Sequence, residues 1–135
     1  MNKPNIRHEG CCFCGAVCHA ITGPLAYSAH CHNRSCQHAI CAGFATWSGV
    51  GVDDFAIIKG EMANYESSPG VWRGFCGTCG ASLTYEANNW DDPAVLSATL
   101  DDPAIAKPTT NVYLDHQQPW FVLDESLRPY RQFPD

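Results

Sequence analysis

Apolar residues fall in short runs along this chain, each closed by glycine, proline or a polar pair, and the pieces are strand-sized. The run Ala16 to Ile21 reads as a strand ended by the turn Thr22-Gly23-Pro24, with Leu25 to Cys31 as its hairpin partner. Gly43 to Trp47 and Asp54 to Ile58 are two more short runs, separated by Gly49 and Gly51. Met62 to Glu66 alternates loosely up to the strong turn signal Ser67-Ser68-Pro69-Gly70. Val71 to Cys76 and Ala81 to Glu86 flank a cysteine-containing turn, and Val95 to Leu100 and Asn111 to Leu114 follow as later strands. Between those last two lies the acidic, proline-containing loop Asp101 to Pro108. Only Cys36 to Cys41 and the Asp91-Asp92-Pro93 region suit a helical turn or two, and no amphipathic stretch is long enough for a major helix. The pattern predicts a mainly β chain without repeats or linkers. At 135 residues it is large enough for one domain with a real core.

The chemistry concentrates in cysteine. Cys12-Phe13-Cys14-Gly15 and Cys76-Gly77-Thr78-Cys79-Gly80 each have the glycine-terminated spacing of a metal knuckle. Glycine relieves crowding at such a turn and lets amide N–H groups face the sulfurs. Residues two apart in a strand point the same way, so Cys12 and Cys14 can chelate where a strand bends. Four thiolates would make a closed, structural zinc site at Cys12, Cys14, Cys76 and Cys79. The alternative is two unrelated pairs of buried cysteines.

Charge and targeting signals narrow the setting. The start, Met1 to Gly10, is polar and charged, without the apolar core of a signal peptide. Ser35 to Val52 lacks Lys, Arg, Asp and Glu but is broken by Gly, Ser, Gln and His, too mixed to span a bilayer. These features predict a cytoplasmic protein, whose cysteines serve metal or catalysis rather than disulfides. The nine cysteines cannot all pair internally in any case. A net charge of −6 gives no footprint for nucleic acid or an anionic membrane. A small anionic substrate held by one or two local cations remains compatible with it.

A second cluster, His30-Cys31-His32-Asn33-Arg34-Ser35-Cys36-Gln37-His38 followed by Cys41, is where function is expected. Cys31 and Cys36, with four residues between them, form a looser chelate than the knuckles. The histidines suit metal ligation, base catalysis or a plain surface role. A three-ligand site here would be open and therefore of the catalytic kind.

These segments carry a family resemblance. Gly10-Cys11-Cys12-Phe13-Cys14-Gly15-Ala16-Val17 resembles the opening motif of the glutathione-dependent formaldehyde-activating enzymes, relatives of the centromere protein V group. Cys31 to Phe44 resembles that family's Cys-His-Cys-x-x-Cys segment, and Arg73-Gly74-Phe75-Cys76-Gly77-Thr78-Cys79-Gly80 its Phe-Cys-x-x-Cys-Gly motif. Pro119-Trp120 through Leu127 is similar to its C-terminal Trp and acidic segment. The resemblance implies one zinc-binding domain over residues 9–134 with an Mss4-like fold, β-sheets built around a zinc-ribbon-like site of four cysteines. Carried across, Cys12, Cys14, Cys76 and Cys79 hold the structural zinc, while Cys31 and Cys36 become catalytic residues and ligands of a second zinc.

The second motif departs from the family at its middle cysteine, which is Asn33 here. A neutral amide oxygen is a poor exchange for a thiolate on a borderline-soft ion. Cys41 and His32 are the nearest replacements in sequence. The family's reaction joins formaldehyde reversibly to glutathione, so the resemblance implies a carbon–sulfur lyase whose partner is a small thiol such as glutathione. Two other classes stand beside that reading. One is a non-catalytic zinc-stabilised binding module, favoured by Asn33 and by the lack of another catalytic motif. The other is a thiol redox protein, although no catalytic and resolving cysteine pair stands out in the sequence.

Overall fold

Turn chemistry and alternation produce eleven short strands and one helix among the described residues, 6–133 of the computed structural model. The strands are β1 (Arg7–Cys11), β2 (Cys18–Thr22), β3 (Tyr27–Cys31), β4 (Ala45–Gly49), β5 (Phe55–Lys59) and β6 (Met62–Ser68). They continue with β7 (Val71–Cys76), β8 (Ser82–Ala87), β9 (Trp90–Leu96), β10 (Thr110–Val112) and β11 (Arg128–Pro129). The helix α1 (Arg34–Ile40) sits between β3 and β4. The first residues of the Met1 to Gly10 segment, and Pro134 at the end of the expected domain, lie outside the described residues.

Two sheets form. The smaller has the order β1-β2-β5, and the larger runs β11-β10-β3-β4-β9-β8-β7-β6. Pairing is antiparallel except at β10, which lies parallel to both β3 and β11. The expected hairpin between β2 and β3 does not form: β2 pairs with β1 and β5, and β3 with β4 and β10. Thr22-Gly23-Pro24 does turn the chain, with Gly23 at φ 88°, but it passes the chain from one sheet to the other. Asp91-Asp92-Pro93 is strand rather than helix, because a two-residue loop at 88–89 returns the chain directly from β8. Pro93 has no N–H to donate, and it falls where the β8–β9 register is irregular.

Three apolar clusters hold the layers together. Ile21 and Val50 meet Val95 and Leu100 between the two sheets. Beneath the knuckles, Cys12, Val17, Cys76 and Leu83 form a second cluster, and Cys31, Cys36, Trp47 and Val112 belong to a third beside α1. Fully burying side chains such as Ile21, Leu83 and Val95 contributes about 1.5–3 kcal/mol each. Gly10 lets β1 approach the loop after β9: a Cβ there would run into the Thr99 carbonyl, and Asp101 N–H donates to the Glu9 carbonyl at 2.9 Å.

One pair of cysteines departs from expectation. The β1–β2 register sets Cys11 directly opposite Cys18, with Cα atoms 4.0 Å apart, and the two are joined as a disulfide. Metal and catalysis therefore do not account for every cysteine. No helix among the described residues is long and apolar enough to cross a membrane.

Candidate functional site

The two knuckles are built alike. After β1, Cys12 N–H donates to the Val17 carbonyl at 2.9 Å, and Val17 N–H returns to Cys12 Sγ at 3.3 Å. After β7, Cys76 N–H donates to the Ala81 carbonyl at 2.9 Å, and the Thr78 and Cys79 N–H groups reach Cys76 Sγ at 3.4 Å. Both turns end on a left-handed glycine, Gly15 and Gly80, each at φ 80°. A side chain at either position would strain the turn that aims these amides at sulfur.

Together the knuckles bring Cys12, Cys14, Cys76 and Cys79 into one group whose sulfurs all lie within 4.8 Å of one another. Cys14 Sγ is 3.7 Å from Cys12 Sγ and 3.8 Å from Cys76 Sγ. Cys12 and Cys76 are only 5% and 1% exposed, while Cys14 faces solvent. The crowded thiols share protons unequally. Burial works against ionising Cys12, but the Val17 N–H and the neighbouring thiols outweigh it and bring it to about 6. Cys14 moves the other way: although the Ala16 backbone favours its thiolate, burial and the adjacent sulfurs push it up to about 11. A dication at the centre would satisfy all four as thiolates, so the donor set suits a metal ion.

The second cluster is assembled from the end of β3 and the start of α1. Asn33 is the N-cap of α1, its side-chain Oδ1 accepting from Ser35 N–H at 2.8 Å, so the helix engages the oxygen that stands in place of the motif's thiolate. Cys31 and Cys36 come together with sulfurs 3.7 Å apart. Among the described residues no third His, Cys, Asp or Glu joins them in a metal-sized group. Cys41 closes the helix in a left-handed conformation, φ 57°, where its exposed thiol faces the His38 carbonyl at 3.6 Å. His32 is fully buried and hydrogen-bonds Asn111 Oδ1 at 2.9 Å. His30 bonds Thr46 Oγ1 at 2.8 Å, and His38 bonds Arg34 at 2.9 Å. The described residues thus place two thiols here, with Asn33 where the family motif has its middle cysteine.

What faces the pair instead is Arg73. Both terminal guanidinium nitrogens lie 3.8 Å from Cys36 Sγ. Ser67 Oγ accepts from Arg73 Nε at 3.2 Å, and the guanidinium stacks 5.0 Å above the Tyr85 ring, its partner across β7–β8. Donation from the Cys31 thiol, helped by Arg73, outweighs burial and lowers Cys36 to about 6. The same hydrogen bond and burial hold Cys31 far above the ordinary thiol range. Cys36 is therefore the more acidic sulfur of the pair.

Cys31 and Cys36 open on a cavity of about 990 Å³ whose walls include Tyr27, Trp47, Tyr85 and Tyr113. The sequence offered no sign of Arg73 or Tyr85 as site residues beyond strand alternation, which puts Val71, Arg73 and Phe75 on one face. Cys36 alkylation by iodoacetamide is expected to rise with a midpoint near pH 6, and to shift upward in Arg73→Met. Mass spectrometry of quenched samples reads both; a midpoint at the ordinary thiol value in the unmodified chain would refute this assignment of the thiolate.

Comparison with known proteins agrees with this architecture. No curated protein matches the chain. A crystal structure of a Rhodobacter sphaeroides protein superposes with a TM-score of 0.60 at 20% identity, covering 90% of this chain and 98% of that one. At that identity the likeness speaks for the fold alone. The family described as glutathione-dependent formaldehyde-activating enzyme matches residues 7–116, a span that stops before Pro119 to Leu127. That span contains both knuckles, the Cys31–Cys36 pair and Arg73. With four-fifths of its length matched, mainly β and folded around a four-cysteine group, the chain belongs to the glutathione-dependent formaldehyde-activating enzyme family.

Proposed function

We propose that this chain is a cytoplasmic carbon–sulfur lyase, one domain over residues 9–134, that makes and breaks the bond between a small carbonyl compound and glutathione or another thiol. The observation that carries the reading is Cys36 Sγ beside the Arg73 guanidinium, with both residues lining the cavity. Zinc is the ion best suited to Cys12, Cys14, Cys76 and Cys79, where a closed set of four sulfurs would supply folding energy and no chemistry.

The reaction needs a proton moved twice. The incoming thiol gives its proton to the Cys36 thiolate, and the resulting thiolate adds to the carbonyl carbon. The C=O π electrons pass to oxygen, and Cys36 then returns the proton to that alkoxide. Arg73 holds the site's negative charge in place through both steps. Asn33 caps α1 with its side-chain oxygen, and this reading assigns the proton transfers to Cys36.

Exchange NMR on formaldehyde and glutathione tests it. The unmodified chain should accelerate exchange over buffer, and Cys36→Ser should lose at least tenfold of that acceleration, equivalent to about 1.4 kcal/mol. If exchange stays at the buffer rate while glutathione still binds, the chain is instead a zinc-stabilised binding module, the reading that Asn33 favours.

A further inference from the structure

Outside the carbon–sulfur reading, the second cysteine pair has the geometry of an exchange-active couple. The Cys31 and Cys36 sulfurs are in hydrogen-bond contact at 3.7 Å, against the roughly 2.05 Å of a disulfide. Their surroundings are unequal. Arg73 touches Cys36 and stabilises negative charge there, whereas Cys31 points its thiol at Cys36. Among the described residues no third His, Cys, Asp or Glu is grouped with them. At 7% and 6% exposure both are sheltered from other proteins, yet both line the cavity, which admits a small molecule.

We propose that Cys36 and Cys31 reduce a small disulfide with aromatic or apolar arms bound in this cavity. Cys36 attacks one sulfur of the bound disulfide; that S–S bond breaks, a mixed disulfide forms on Cys36, and the departing thiolate takes a proton from water. Cys31, losing its proton to solvent, then attacks Cys36 Sγ. The mixed disulfide breaks, the Cys31–Cys36 bond forms, and a second thiol leaves. One disulfide is reduced to two thiols while two protein thiols are oxidised, and an external dithiol resets the pair. Arg73 selects Cys36 as the attacking sulfur, and when the external dithiol attacks Cys31 it makes Cys36 the better leaving group. This activity involves no carbonyl and stands whether or not the carbon–sulfur reading does.

The test uses the full metal-loaded chain carrying Cys41→Ser, which removes the exposed thiol beyond the helix. One equivalent of 4,4′-dithiodipyridine should release two equivalents of thiopyridone with the metal retained. Proteolysis and mass spectrometry should then find Cys31 joined to Cys36, and dithiothreitol should restore both thiols. Cys31→Ser should stop at one equivalent with the pyridylthio group on Cys36. Arg73→Met should slow the first release at least tenfold, with Arg73→Lys recovering part of the rate. The proposal is overturned if the adduct stays on Cys36 with Cys31 free, if the four clustered cysteines react first and release the metal, or if Arg73→Met reacts at the parent rate. The mapping on the Cys41→Ser chain decides the question by itself should either cavity variant fail to fold.

Discussion

Replacing Cys12 or Cys79 by alanine is expected to yield a chain that is insoluble or lacks a cooperative melting transition. The four sulfurs join the turn between β1 and β2, in the smaller sheet, to the turn between β7 and β8, in the larger. A structural zinc contributes on the order of 10 kcal/mol to folding, and a whole domain is stable by only about 5–15 kcal/mol. Loss of one thiolate therefore removes a share of stability comparable to the total. Cys12 adds its own packing against Val17 and Leu83. The same argument predicts that chelators strip the metal more readily as pH falls, since each ligand must give up a proton to bind. Elemental analysis beside thermal melting checks the result. A soluble Cys79→Ala chain melting at the unmodified temperature would show that the group is not structural.

Asn33→Cys should raise the metal content from one tightly held zinc per chain to two. The residue lies between Cys31 and Cys36 in sequence and shares the cavity wall with both. A third thiolate there would complete an open three-sulfur site. Zinc with three thiolates carries one net negative charge, which Arg73 is already placed to neutralise. The change removes the α1 cap, costing about 1 kcal/mol, whereas saturating a metal site at a hundredfold over its dissociation constant returns about 2.7 kcal/mol. The second ion should survive dialysis against a mild chelator, carbon–sulfur exchange should rise with it, and both gains should vanish on adding Cys36→Ser. Two ions surviving dialysis in the unmodified chain would mean that another group already completes the site.

The knuckles were legible because their information is local: Cys-x-Cys-Gly and Cys-x-x-Cys-Gly specify a turn, a glycine conformation and two ligands within a few residues. Cys31 and Cys36 were legible as a pair for the same reason. Arg73 was not. It reaches Cys36 only because β7 and α1 border one cavity, a consequence of sheet order that no short motif contains. The turn at Gly23 was correctly placed, but a turn signal does not say which sheet the next strand will join. Asp91, Asp92 and Pro93 carry poor strand propensity, and pairing of Trp90, Ala94 and Val95 with β8 overrides it. Cys11 and Cys18 were hidden because the disulfide depends on register across β1 and β2, which sequence spacing alone leaves open.

The separation of the two knuckles also imposes a timetable on the growing polypeptide. Cys14 and Cys76 are 62 positions apart, so at a synthesis rate of about 5–20 residues per second the first pair leaves the ribosome roughly 3–12 s before the second. During that interval a nascent β1–β2 hairpin offers an ion only two of the four clustered sulfurs, Cys12 and Cys14, which bind loosely and remain open to oxidants. Secure capture waits for Cys79, and the cavity is finished later still, when Tyr113 and Phe133 arrive to close its wall. In the cell, metal supply and thiol protection thus matter most while the protein is half made.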